Sequence, residues 1–383
     1  MNVCRFLLFL LVLNTAPTMA DLSNDPIGTV ETLPASYPAH WVLVHDAAFF
    51  HMLDGRVMVM DADANTVQQQ MQGMFNVSFM GAVLQAKSRP EIYAVETVYS
   101  KGHRGDRSDI ITIYDTATLS PIGDILLPPG KRAGMIPSDY VMQLIDDDKY
   151  LLIYNFTPAT SVSVVDIMNR KVVNEISLPS CALVYPTGKR GFSSLCNNAS
   201  MLTVQLDENG QVVNKSTMPS FFDIDKDALF ERPAIIKGIA YFPTFMGNVR
   251  EVDLSGSKAV VGKQWSLVSD SEREENWRPG GMQLTGSNGN NMYVLMHPEG
   301  YEGSHKDPGM EVWVYDVKKR KRSKRIALTT PAIVIELTRD ETPLLLATNI
   351  EMNIDVYDAS TGEHLRTLAG FGQETPLILH AAQ

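Results

Sequence analysis

Apolar and polar residues alternate in short runs along most of this chain, and the runs end alike. VMVMD closes at Asp61, ITIYD at Asp115, VSVVD at Asp166 and LTVQLD at Asp207; NVREVD closes at Asp253, VWVYD at Asp316 and NIDVYD at Asp358. Successive closing aspartates lie 54, 51, 41, 46, 63 and 42 residues apart. A period of two sends one face of a strand into a core and the other outward. An aspartate at the end of such a run can accept hydrogen bonds from N–H groups two residues on and pin a tight turn. Turn formers follow in most copies, among them Asn169-Arg170, Asn209-Gly210 and Thr361-Gly362. A second run comes next, as in KVVNEISLP and EHLRTLAG, and two more apolar runs (VSFMGAVLQA, EIYAVETVY) precede the hairpin at Asp115. Four strands in a unit of about 50 residues is the blade of a β-propeller. The chain is therefore expected to be all-β, a seven-bladed β-propeller with four-stranded blades; a sandwich or β-helix fits these spacings less well.

Ahead of Asp61 only WVLVHD reads as a strand, so the first blade is one short. TPLILHAA, at 375–382, is a spare strand after the last hairpin. Pairing it into the first blade would close the ring and remove two exposed edges. The propeller is expected over 34–383 as one domain, after a leader at 1–20 and an N-terminal extension at 21–33.

The leader has Arg5, an apolar run from Phe6 to Leu13, breakers at Asn14 and Pro17, and a small-residue end before a cleavage expected near Ala20-Asp21. That is the layout of a secretory signal peptide, and its apolar run is far shorter than the ~20 residues of a spanning helix. No later stretch is apolar enough to span, so the mature chain is expected outside the cytosol. With 33 Lys and Arg against 44 Asp and Glu, the formal net charge of −11 argues against a nucleic-acid partner. Outside the leader only Cys181 and Cys196 remain; an even pair in an oxidising compartment reads most simply as a disulfide, two free thiols being the alternative.

The search for catalytic motifs is negative: no nucleophile elbow, zincin helix, P-loop, dinucleotide fingerprint or C-x-x-C-H is present. No catalytic, cofactor-binding or metal-ligating residue is assigned to this chain. The basic run 318–325 reads as a solvated blade edge. Three segments depart from the bare repeat: 100–109 (SKGHRGDRSD), 269–283 (SDSEREENWRPGGMQ) and 297–308 (HPEGYEGSHKDP). Long charged loops on a rigid scaffold are where binding usually resides. They offer His103, Arg104, Arg107, Trp277, Arg278, His297, Tyr301, His305 and Lys306, a set suited to a protein interface.

These loops carry a resemblance. HRGDRSDIITIYD, LLPPGKR, NFTPATSVSVVD, NWRPGGMQ and MHPEGYEGSHKDPGMEVWVYD resemble the large subunit of the periplasmic quinoprotein amine dehydrogenases, from about Pro34 to the C-terminus. The last string looks closer to the aromatic amine than to the methylamine branch. The resemblance implies a seven-bladed propeller with Cys181 and Cys196 at the family's disulfide positions. It also implies that the chain is the non-catalytic half of an α2β2 tetramer. The cofactor, tryptophan tryptophylquinone, would lie in a separate small subunit that carries the catalytic base. The complex would deaminate a primary amine to aldehyde and ammonia and pass electrons to a blue-copper protein. The string DAAFFHMLDGRV resembles the region where a phenylalanine of the family lines the substrate channel, which points to Phe49 or the adjacent Phe50. A stand-alone periplasmic propeller that binds or assembles other molecules is the competing reading.

Overall fold

The computed structural model describes residues 32–48, 54–79, 81–133, 138–371 and 375–383. The leader, Phe49 and Phe50 therefore lie outside the described residues. Apart from two short helices and two 3-10 turns, the regular structure is antiparallel β-sheet arranged as a propeller, and Leu33–Gln383 form one unit.

Each closing aspartate does the work its position suggests. Side-chain oxygens of Asp61, Asp115, Asp207, Asp253, Asp316 and Asp358 accept from the backbone N–H two residues on at 2.7–3.1 Å. Asp166 accepts from Asn169, three residues on, at 2.9 Å. These bonds replace the water that a hairpin corner would otherwise need, and they fix where the strand reverses.

Strand order is also as the repeat implies: within a sheet, successive strands pair in sequence, the first lying innermost. The first sheet is the exception, and its exception is the closure. Pro376–Ala381 pairs antiparallel with Trp41–Asp46, Val42 opposite Ala381 and Val44 opposite Leu379. Asp46 extends this seam, accepting from the Thr375 N–H at 2.9 Å.

The expectation of a seven-bladed propeller with four-stranded blades is corrected. Among the described residues there are six hydrogen-bonded sheets: four with four strands, one with five and one with eight. The large sheet arises because Lys321–Leu337 is a single strand of 17 residues. Its first part pairs with Gly309–Asp316 and its last part with Leu344–Asn349. No glycine interrupts KRSKRIALTTPAIVIEL, and its threonines, isoleucines and valine favour extended backbone. The outer strand of one repeat thus runs on as the inner strand of the next, with no connector to separate two sheets. In the five-stranded sheet, Arg132–Ala133 and Met142–Ile145 both pair with Tyr150–Thr157.

The core lies between neighbouring sheets. Trp41 and Leu43 face the second sheet, packing with Val57, Val83 and Ile92, whereas Val42 and Val44 face the last, packing with Val334, Leu346 and Val356. Both faces of the strand are buried, which is why WVLV is continuously apolar rather than alternating.

Candidate partner-docking face

In an antiparallel sheet built outward from the axis, the second-to-third connection and the link to the next sheet leave from the same end. By this topology the turns at 100–106 and 298–308 and the links at 219–233 and 269–277 emerge on one end of the ring, here called the loop face. The strands flanking Phe49 and Phe50, Trp41–Asp46 and Asp54–Asp61, meet at that same end.

The interface candidates divide into two kinds there. His103, Arg104 and Arg107 are exposed, Arg107 holding the buried Asp109 at 2.8 Å. Tyr301, His305 and Lys306 are also exposed, Tyr301 at 59%. Trp277 and His297 are instead buried, at 9% and 5%, and anchor the loops from below. Arg278 is half-buried, its guanidinium 4.5 Å above the Phe245 ring. The segments 269–283 and 297–308 are fastened together through the backbone. Glu299 N–H donates to Glu275 O at 3.1 Å, Gly300 N–H to Asn276 O at 2.8 Å, and Gly281 N–H to His305 O at 3.2 Å.

Beneath them lies a clamp that the sequence did not disclose. Trp277 and Trp313 stack at 5.0 Å, with Arg325 over both rings at 4.6 and 4.7 Å and Arg322 over Trp313 at 4.2 Å. Arg322 meets Glu272 at 2.6 and 3.0 Å, and Arg325 meets Glu311 at 2.6 Å and Glu272 at 3.3 Å. Burial works against ionising Glu272, but Arg322 and the Ser269 capping bonds hold its carboxyl below the usual range. The basic run 318–325, read as a solvated edge, thus supplies the arginines that lock the loop base.

Cys181 and Cys196 form a disulfide between adjacent strands, opposite one another at the loop-face end of the fourth sheet's inner hairpin. Among the described residues no three His, Cys, Asp or Glu side chains converge as a metal site, and no helix is long and apolar enough to cross a membrane.

Two cavities among the described residues bear on function. The larger, about 860 Å³, follows the axis and opens toward the opposite end, past the first-to-second turns that carry Lys87, Asp148, Asn288 and Asp340. Along it Asp139 pairs with His380 at 3.0 Å, and burial together with Asp139 pushes the Glu336 carboxyl up to about 7. Gln283 closes the seam beside it. Its Nε2 donates to Ile335 O at 3.2 Å, Glu336 Oε2 at 3.1 Å and Leu379 O at 3.0 Å, while its Oε1 accepts from the Leu379 N–H at 3.3 Å. The smaller cavity, about 230 Å³, is on the loop face, walled by Leu229, Phe230, Phe245 and His305.

The ring is a closed propeller with interlocked loops on one end. The fold is shared with solved propellers of distant sequence. The Cps50 (Swd1) β-propeller domain of Myceliophteria thermophila superposes with a TM-score of 0.53 at 10% identity, over 86% of this chain and 98% of that one. Dihydro-heme d1 dehydrogenase NirN gives 0.51 at 14% identity, over 87% and 74%. Closer kinship is in sequence. The profile of the methylamine dehydrogenase heavy chain family matches residues 38–382. The methylamine dehydrogenase heavy chain of Methylophilus methylotrophus is 28% identical, covering 97% of this chain and 93% of its own length. That of Paracoccus versutus is 27% identical, over 89% and 79%. The chain belongs to the methylamine dehydrogenase heavy chain family.

Proposed function

We propose that this chain is the large, non-catalytic subunit of a periplasmic amine dehydrogenase that uses tryptophan tryptophylquinone. On this reading it pairs with a small quinone-bearing subunit as an α2β2 tetramer that oxidises a primary amine to aldehyde and ammonia. Electrons then pass to a blue-copper protein. The observation that carries the reading is family membership over nearly the whole chain, joined to a loop face built from the segments that carry the resemblance. This chain's part is to hold and orient: the Arg–Trp clamp fixes the loops, and Phe49 or Phe50 is the residue proposed to line the substrate channel. The quinone supplies the redox chemistry and belongs to the partner. In this chain Trp277 and Trp313 are occupied as a structural pair, each indole N–H donating to a glutamate, at 3.0 Å to Glu275 and 2.6 Å to Glu311. Methylamine, named in the family's description, is the first substrate to try, and an arylalkylamine, from the likeness of the 297–308 loop to the aromatic amine branch, is the second.

The test is gentle purification of the tagged chain from its native host grown on a primary amine. A small co-purifying subunit, a quinone absorption band and amine-dependent dye reduction are the expected result. A colourless, folded chain eluting alone would overturn the reading and leave a stand-alone binding protein, for which the 860 Å³ axial cavity falls in the size range of ligand pockets.

A further inference from the structure

We propose that the pocket between Phe230 and Phe245 receives one large apolar side chain from a basic segment of the small subunit, and that this acidic sector of the loop face anchors the complex. The inference rests on the reading above and adds where, and by what chemistry, the partner is gripped.

The pocket's size comes first. At about 230 Å³ it is smaller than the ~300 Å³ at which small-molecule pockets begin, yet it has room for a single side chain. Its walls are Ala228, Leu229 and Phe230 from the link 219–233, Phe245 from the hairpin turn of the fifth sheet, and Glu302 and His305 from the turn 298–308. Those three segments are preorganised. Phe230 N–H donates to Pro243 O at 2.9 Å and Phe245 N–H to Ala228 O at 2.8 Å. The buried Asp227 accepts from Met246 N–H at 2.9 Å and Asn248 Nδ2 at 2.8 Å. Arg278 covers Phe245 from the side. A rigid apolar socket that needs no rearrangement is the kind of place where a few side chains carry most of a binding energy.

Charge then selects the occupant. Glu302 lines the socket itself, and Asp223, Asp225, Glu274, Glu275 and Glu299 are exposed on the segments that wall or adjoin it, against exposed Lys226, which pairs with Asp223, exposed Lys306 and the half-buried Arg278. A basic segment is steered toward such a rim, and an acidic one is turned away. A second copy of this chain, with a net charge of −11, is disfavoured on the same ground.

The experiment uses the co-purified complex and measures its dissociation on dilution by mass photometry, at several salt concentrations. Ala228→Trp fills the socket from an exposed position and is expected to weaken association about thirty-fold or more, with the circular dichroism spectrum unchanged. Glu299→Lys with Glu302→Lys is expected to weaken association at low salt and to flatten its salt dependence. Val213→Trp, on an outer strand, is expected to change nothing. Wild-type affinity in both loop-face variants would overturn the inference while leaving the complex intact; no complex with the unmutated chain would overturn the underlying reading instead. A change in self-association alone would make a second copy the occupant and also sink the proposal. Should Ala228→Trp fail to fold, the charge reversals decide.

Discussion

Replacing Gln283 by leucine tests whether the ring's seam depends on one amide. Leucine keeps the approximate volume, so the change is chemical rather than a cavity. The innermost strand Pro376–Ala381 gives one backbone edge to Trp41–Asp46 and turns the other to the axis, where Leu379 finds both its partners in the Gln283 side chain. The substitution removes four hydrogen bonds, to Leu379 N–H, Leu379 O, Ile335 O and Glu336. At roughly 0.5–1.5 kcal/mol each, with one buried backbone N–H left unpaired, the expected loss is about 3–5 kcal/mol. In a chain of this size that lowers the melting temperature by roughly 4–7 °C. Thermal and urea unfolding of the purified chain read it directly, and Gln283→Glu should be worse above neutral pH, where it faces an ionised Glu336. A leucine variant within about 1 kcal/mol of the wild type would refute the reasoning.

Three further outcomes are expected. Glu336 is raised in the folded state above its ordinary 4.5 to about 7, so the unfolded chain loses this proton first as pH rises; stability falls from pH 4.5 to 7 and stays reduced above. Glu336→Gln should remove that slope in unfolding measured across this range, making the variant the more stable protein above pH 7. Reduction of Cys181–Cys196, or its replacement by serines, should cost about 3 kcal/mol for a crosslink spanning 15 residues, seen as a lower melting temperature with reductant. Arg325→Ala uncovers Trp277 and Trp313, so tryptophan emission should shift to the red and acrylamide quenching should rise, while far-ultraviolet circular dichroism stays as it was.

The parts of this protein legible in its sequence are those written locally. Every closing aspartate pins a backbone N–H two or three residues on, so the hairpins could be read one by one. The closing strand was legible because the first repeat was visibly short. The number of separate sheets was not, since it turns on a connector that 321–337 lacks rather than on any residue present. The loop face was found from its charged segments, but its working parts were not. Phe230, Phe245 and His305 come from three segments of the fifth and sixth sheets, and Trp277 meets Trp313 only through the pairing of strands between them. Trp277 and His297 show the limit of composition as a guide: residue types favoured at interfaces are here buried in the base of the loops.

The unbroken strand Lys321–Leu337 has a mechanical consequence. Elsewhere in the ring a connector separates one sheet from the next and offers a joint at which neighbours can tilt. Here the same hydrogen-bonded backbone belongs to both sides, and Arg322 and Arg325 on it grip the base of the loops. The sector carrying the 269–283 and 297–308 segments therefore lacks that joint, and amide exchange is expected to show it opening as one block. Whatever settles on it meets an anvil, and any give needed to fit must come from the visitor or from the arcs on the far side.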